Sequence, residues 1–170
     1  MKKRILSILL VLLTLSAAGC RKEPEVSSLC FYYPRKEMTY TMEESVIAPD
    51  YRSDLTYQSA KLLLSVYLQG PLDPELRNPF PEGVTVVSVY THGNVTYITL
   101  SEEFAQLTGV PLILACTSLG KTCMGLLSTE ATTIRCESQL LDGKRSITID
   151  ENNVIFNDTL PGEIETTEQE

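Results

Sequence analysis

Four cysteines stand in the body of the chain, Cys30, Cys116, Cys123 and Cys136, and a fifth, Cys20, lies near its start. Thiols brought together can form disulfides, hold a metal or act as nucleophiles. No Cys-x-x-Cys pair is present, which argues against a metal site. Cys116 and Cys123 fall on one helical face, yet seven residues rise about 10.5 Å along a helix, beyond the roughly 7 Å Cα separation a disulfide tolerates. Each can instead meet a strand cysteine, Cys30 or Cys136, beneath the helix. Two outcomes stay open for the four: one or two disulfides, or buried free thiols acting as small hydrophobes. The single histidine, His92, abuts a Gly93-Asn94 turn, so a triad or histidine metal site would hang on one exposed loop residue. Glu102 and Glu103 follow Ser101 as first-turn carboxylates behind a helix cap, a setting that favours their ionised form over a proton donor. With no glycine-rich phosphate loop either, the sequence predicts no enzyme, no cofactor and no metal.

The elements that would position these side chains centre on residues 70 to 104. Val84 to Thr91 and Val95 to Leu100 are β-branched and aromatic runs on either side of Gly93-Asn94, a hairpin signal. A two-residue turn sets Val89 opposite Ile98 and Val87 opposite Leu100, giving one aliphatic face. Ser88, Tyr90, Tyr97 and Thr99 then share the other, a candidate contact surface. A three-residue loop would divide the aliphatic residues between the faces, so the shorter turn is favoured.

Upstream, Leu29 to Tyr33 reads as a strand closed by Pro34, and Met38 to Ala48 as weakly extended until Pro49-Asp50. Leu55 to Leu68 has helical period, with Ser53 or Asp54 as cap and Gly70-Pro71 as stop. Leu62 and Val66 widen its apolar stripe, as for a helix on a sheet whose flank touches something else. Downstream, a second helix runs from about Pro111 to Leu127 with Leu112, Ala115, Cys116, Leu119, Cys123, Leu126 and Leu127 inward. Thr132 to Glu137 and Ser146 to Ile149 are strands around an Asp142-Gly143 turn, and Val154-Ile155-Phe156 pairs at an edge.

Lys2, Lys3 and Arg4, the apolar run Ile5 to Leu15 and the small residues before Cys20 form an export signal over residues 1–19. Its 11-residue core is short of the ~20 residues a spanning helix needs. Ala17-Ala18-Gly19-Cys20 resembles a bacterial lipobox, although a leucine is more usual where Ala17 stands, and ordinary signal cleavage is the alternative. A diacylglyceryl group on Cys20 would supply two chains, enough for stable anchoring. The signal holds three of the 14 basic residues and none of the 22 acidic ones, so the mature chain carries −11. That charge repels phosphate backbones and excludes nucleic acid as a partner. Residues 20–28 form a tether, 29–160 one folded domain, and 161–170, with four glutamates and no basic residue, an acidic tail expected to be disordered.

Asp54 to Pro71, then Pro79-Phe80-Pro81-Glu82-Gly83, then NVTYITLSEEF, a leucine-rich helix and Asp142-Gly143-Lys144 together resemble the GerM domain of sporulation and germination lipoproteins. The resemblance spans roughly Leu29 to Leu160. It implies an α+β fold, a single compact αββαβ wedge with two helices on one face of a small mixed sheet and extra edge strands, similar to ring-building modules. It implies no activity and no cofactor. The partners it implies are a membrane, through the lipid anchor, and other envelope proteins or further copies, on the outer face of the cytoplasmic membrane. The sequence departs from the best-known member in having one such domain instead of a tandem pair, and in its four domain cysteines. The alternative is a binding module for a cell-wall glycan or peptide, with exposed tyrosines as stacking platforms.

Overall fold

Two antiparallel strands open the domain: β1, Leu29–Pro34, pairs with β2, Ile47–Arg52. Pro49, expected to end the extended stretch, lies inside β2 opposite Tyr32. A two-stranded ribbon leaves each strand an outer edge, where a residue without an amide proton is tolerated. Tyr32 directs its own N–H away from Pro49, to the Thr122 hydroxyl at 2.9 Å. The computed structural model describes residues 28–37 and 45–158. The signal segment, Cys20, residues 38–44 of the expected extended stretch and the acidic tail lie outside them.

The first helix, α1, is Ala60–Tyr67, capped by Ser59, whose hydroxyl accepts from the Leu62 amide at 3.3 Å. It starts five residues later than its periodicity suggests. Asp54 cannot cap it, because the Arg52 guanidinium holds that carboxylate at 2.8 and 2.7 Å. Arg52 is itself buried against the ring of Phe31, so the pair fixes the chain as it leaves β2. Gly70 follows with a φ of +107°, the left-handed region that suits glycine.

The main sheet has the order β3-β4-β5-β6-β7. Strands β3 (Val86–His92) and β4 (Val95–Leu100) form the expected hairpin, with Val89 opposite Ile98 and Tyr90 opposite Tyr97. The predicted Val87–Leu100 pairing is corrected: Val86 faces Leu100, and Val87 is the extra residue of a β-bulge. Its carbonyl turns out to accept from Lys61 of α1 at 2.9 Å. The Ser101 hydroxyl is likewise diverted from capping, since it accepts from the Thr85 amide at 2.9 Å. Glu102–Gln106 is a short 3-10 helix.

The chain then crosses over through α2, Gly109–Leu127, to β5, Ala131–Cys136, parallel to β4. A parallel step needs such a crossover. Strands β6 (Ser146–Asp150) and β7 (Val154–Asn157) add antiparallel at the edge. By length and composition α2 would pass as a membrane span, but it is the core helix, with β1 on one side and β4, β5 and β6 on the other. Leu112, Ala115, Cys116, Leu119 and Cys123 are buried as expected, together with Ser118, Gly120 and Thr122. A run of ring contacts ties the layers: Tyr33 to Tyr67 at 4.7 Å, Tyr67 to Phe80 at 5.3 Å and Phe80 to Phe104 at 6.1 Å. The whole is one α+β domain.

Candidate functional site

Side chains alternate along a strand, so the register assigns every sheet residue to one of two faces. Ile98, Ile134, Ile147 and Ile149 point to α2 and are buried. The opposite face, free of helices among the described residues, is where Ser88, Tyr90, Tyr97 and Thr99 meet, as the hairpin register predicts. Tyr90 and Tyr97 stack across the hairpin with ring centroids 5.1 Å apart and planes 13° from parallel. Tyr90 is 53% exposed.

Thr99 behaves otherwise. It is buried, and its hydroxyl accepts from Nε of Arg135 at 2.8 Å. Further along the face, the hydroxyls of Thr133 and Thr148 lie 3.0 Å apart, and Asn157 donates to Thr148 at 2.9 Å. Arg135, Thr133, Thr148 and Asn157 escape sequence reasoning because their place beside the hairpin depends on the parallel β4–β5 pairing. The alternation of Thr133 and Arg135 about Ile134 is the one local signal of their facing.

Among the described residues this face forms a surface and not a pocket. Between Tyr90, Tyr97, Thr133 and Arg135 there is a dimple of about 20 Å³, room for about one water. Larger open hollows lie elsewhere. One of about 620 Å³ is bordered by Tyr32, Lys121, Thr129, Glu130 and Glu151, and one of about 680 Å³ lies between the end of α1 and the 78–85 loop.

All four domain cysteines are free thiols. Cys136 and Cys30 lie on opposite sides of α2, one in the main sheet and one in the β1–β2 ribbon. Burial pushes the Cys123 thiol up to about 12 and that of Cys136 up to about 11, and raises Cys116 further. Cys30 is raised as well, chiefly by burial. Thiols as buried as those of Cys116, Cys123 and Cys136 make poor nucleophiles and poor metal ligands, and among the described residues no group of His, Cys, Asp and Glu is placed to hold a metal. Glu103 is held below the usual carboxylate range by its hydrogen bonds with the Ser101 side chain and its own backbone. His92 is an exposed residue at the hairpin turn.

A crystal structure of a candidate lipoprotein from Clostridium perfringens is similar at 16% identity, over 78% of this chain and 92% of its own, with a TM-score of 0.41. That likeness is too loose to carry an argument. No curated protein matches. The family model Germane, described as sporulation and spore germination, matches residues 30–137, from β1 to the end of β5. The chain therefore belongs to the Germane family of sporulation and spore germination proteins.

Proposed function

We propose that the chain is a non-catalytic module, anchored through Cys20 to the outer face of the cytoplasmic membrane. There it acts by protein-protein association in an envelope assembly of sporulation or germination. The observation that supports this most is the helix-free sheet face. It gathers Ser88, Tyr90 and Tyr97 over a hydrogen-bonded base of Thr99, Arg135, Thr133 and Thr148, with no cavity for a small substrate there among the described residues. Tyrosine and arginine on a flat, pre-ordered surface are the residue types that dominate association energetics. The raised cysteines and lowered Glu103 support a non-catalytic reading in the same way. Cell-wall glycan binding is the second reading, favoured by the exposed outer ring of Tyr90. The stack with Tyr97 already occupies its inner face.

The test is the solution mass of residues 21–170 by light scattering over a concentration series, with and without reductant. Self-association that survives reductant and is lost in Tyr97→Ala is expected. A monomer at every concentration would remove self-association. Cys20→Ser should release the full chain from the membrane fraction, and retention there would remove the anchor.

A further inference from the structure

The helix-free face has charge at two separate ends. Asp150 stands in the row of His92, Val95 and Ala131 at one end. Arg135 stands near the other. Its Nε is spent on Thr99, and among the described residues no carboxylate lies within ion-pair reach of it, the exposed Glu137 two residues on included. In a chain with eight more acidic than basic residues, Arg135 is a cation fixed on this face by its bond to Thr99.

The chain leaves the sheet at this same end. Ile134 pairs with Ile147 and Ser146 with Asn157, so Arg135 falls in the row that finishes at Asn157. Asp158, next in sequence, is pinned by Lys144 at 2.7 and 2.9 Å. Residues 159–170, TLPGEIETTEQE, follow with four glutamates and no basic residue. Arg135 is two strand spacings from β7, roughly 10 Å, and the whole five-stranded row is roughly 19 Å wide. Twelve residues reach about 40 Å when extended, and Glu163, five residues beyond Asp158, reaches about 16 Å. The Ser146 hydroxyl, fully buried beside Asn157, has no hydrogen-bond partner.

We propose that the acidic segment 159–170 docks back across the helix-free face of its own sheet, setting Glu163 or Glu165 against the Arg135 guanidinium beside Tyr97. A single exposed ion pair is worth little. The tether alters the balance, because a short linker holds the segment at an effective concentration in the millimolar range, so a contact worth about 4 kcal/mol in all, shared by the ion pair and the residues around it, is about half occupied. Docking in cis does not rest on the association reading, since a chain that stays monomeric can still cover its own face.

The test compares the full chain with its Glu163→Gln, Glu165→Gln and Glu168→Gln triple variant by amide and arginine Nε–H resonances in nuclear magnetic resonance. The substitutions lie outside the folded sheet, so folding is not in question. The expected result is a shift of the Arg135 Nε–H and the Tyr97 and Thr99 amides in the variant, reproduced in the wild type by high salt and independent of protein concentration. Arg135→Gln should in turn shift the amides of residues 163–166. Unmoved face resonances in the triple variant would overturn the proposal. Shifts that vary with concentration would overturn it too, assigning the contact to a second copy.

Discussion

Tyr33 and Tyr67 hold each other's elements in place: the Tyr33 hydroxyl donates to the Tyr67 carbonyl at 2.6 Å, and the Tyr67 hydroxyl donates to the Tyr32 carbonyl at 2.9 Å. The exchange locks β1 to α1 inside the aromatic cluster. Its two halves are unequal, because the Tyr67 carbonyl also accepts from the Gly70 amide at 3.1 Å. Tyr33→Phe leaves that acceptor a partner and should cost about 1 kcal/mol, whereas Tyr67→Phe should cost about 1–3 kcal/mol. Urea midpoints at unchanged slope would read the difference. Equal losses would show that the shared carbonyl is not the reason.

The buried hydroxyls and thiols make the fold sensitive to alkali. Cys123 is raised to about 12 and Cys136 to about 11, and burial lifts Tyr33 and Tyr67 well above a tyrosine's usual value. Unfolded cysteines lose their protons near pH 8.5 and tyrosines near 10. Above those values the unfolded chain binds fewer protons than the native one, so stability falls as pH rises. It should be complete below about pH 8 and decline steadily from pH 9 upward. A urea midpoint that stays constant from pH 7 to 10.5 would contradict this.

Two glycines of α2 should respond oppositely to alanine. In an open helical position the change gains about 1 kcal/mol. A Cβ on Gly125 meets nothing within 4 Å, so Gly125→Ala should stabilise by roughly that amount. A Cβ on Gly120 would stand 2.7 Å from Cβ and Cγ2 of Ile149, which is fully packed in the sheet. Gly120→Ala should therefore destabilise by about 1–3 kcal/mol through overpacking. Thermal melts of the two variants decide it, and a stabilised Gly120→Ala would mean that α2 sits further from β6.

Iodoacetamide labelling of the native protein, mapped by mass spectrometry, should mark Cys30 slowly and leave Cys116, Cys123 and Cys136 unmodified until denaturant is added, since Cys30 alone of the four is partly exposed. Rapid native labelling of Cys116 or Cys123 would mean that α2 opens from the sheet.

The sequence by itself determined what depends on neighbours in the chain: the Gly93-Asn94 turn and its register near the loop, the Gly70 stop, the strands β1, β5 and β6, and the inward stripe of α2. Turn chemistry and side-chain period act over a few residues, so they can be read without the fold. It also placed Ser88, Tyr90, Tyr97 and Thr99 on one face. Only the tertiary structure decided where polar groups find distant partners. Arg52 takes Asp54 from the helix cap, Thr85 takes the Ser101 hydroxyl, and Lys61 meets the Val87 carbonyl freed by the bulge. Each is a contest between a local bond and one closed by folding, and its outcome requires knowing which strands lie side by side. The same holds for Arg135, which joins the candidate face because β5 pairs parallel to β4, a pairing made by the long crossover through α2.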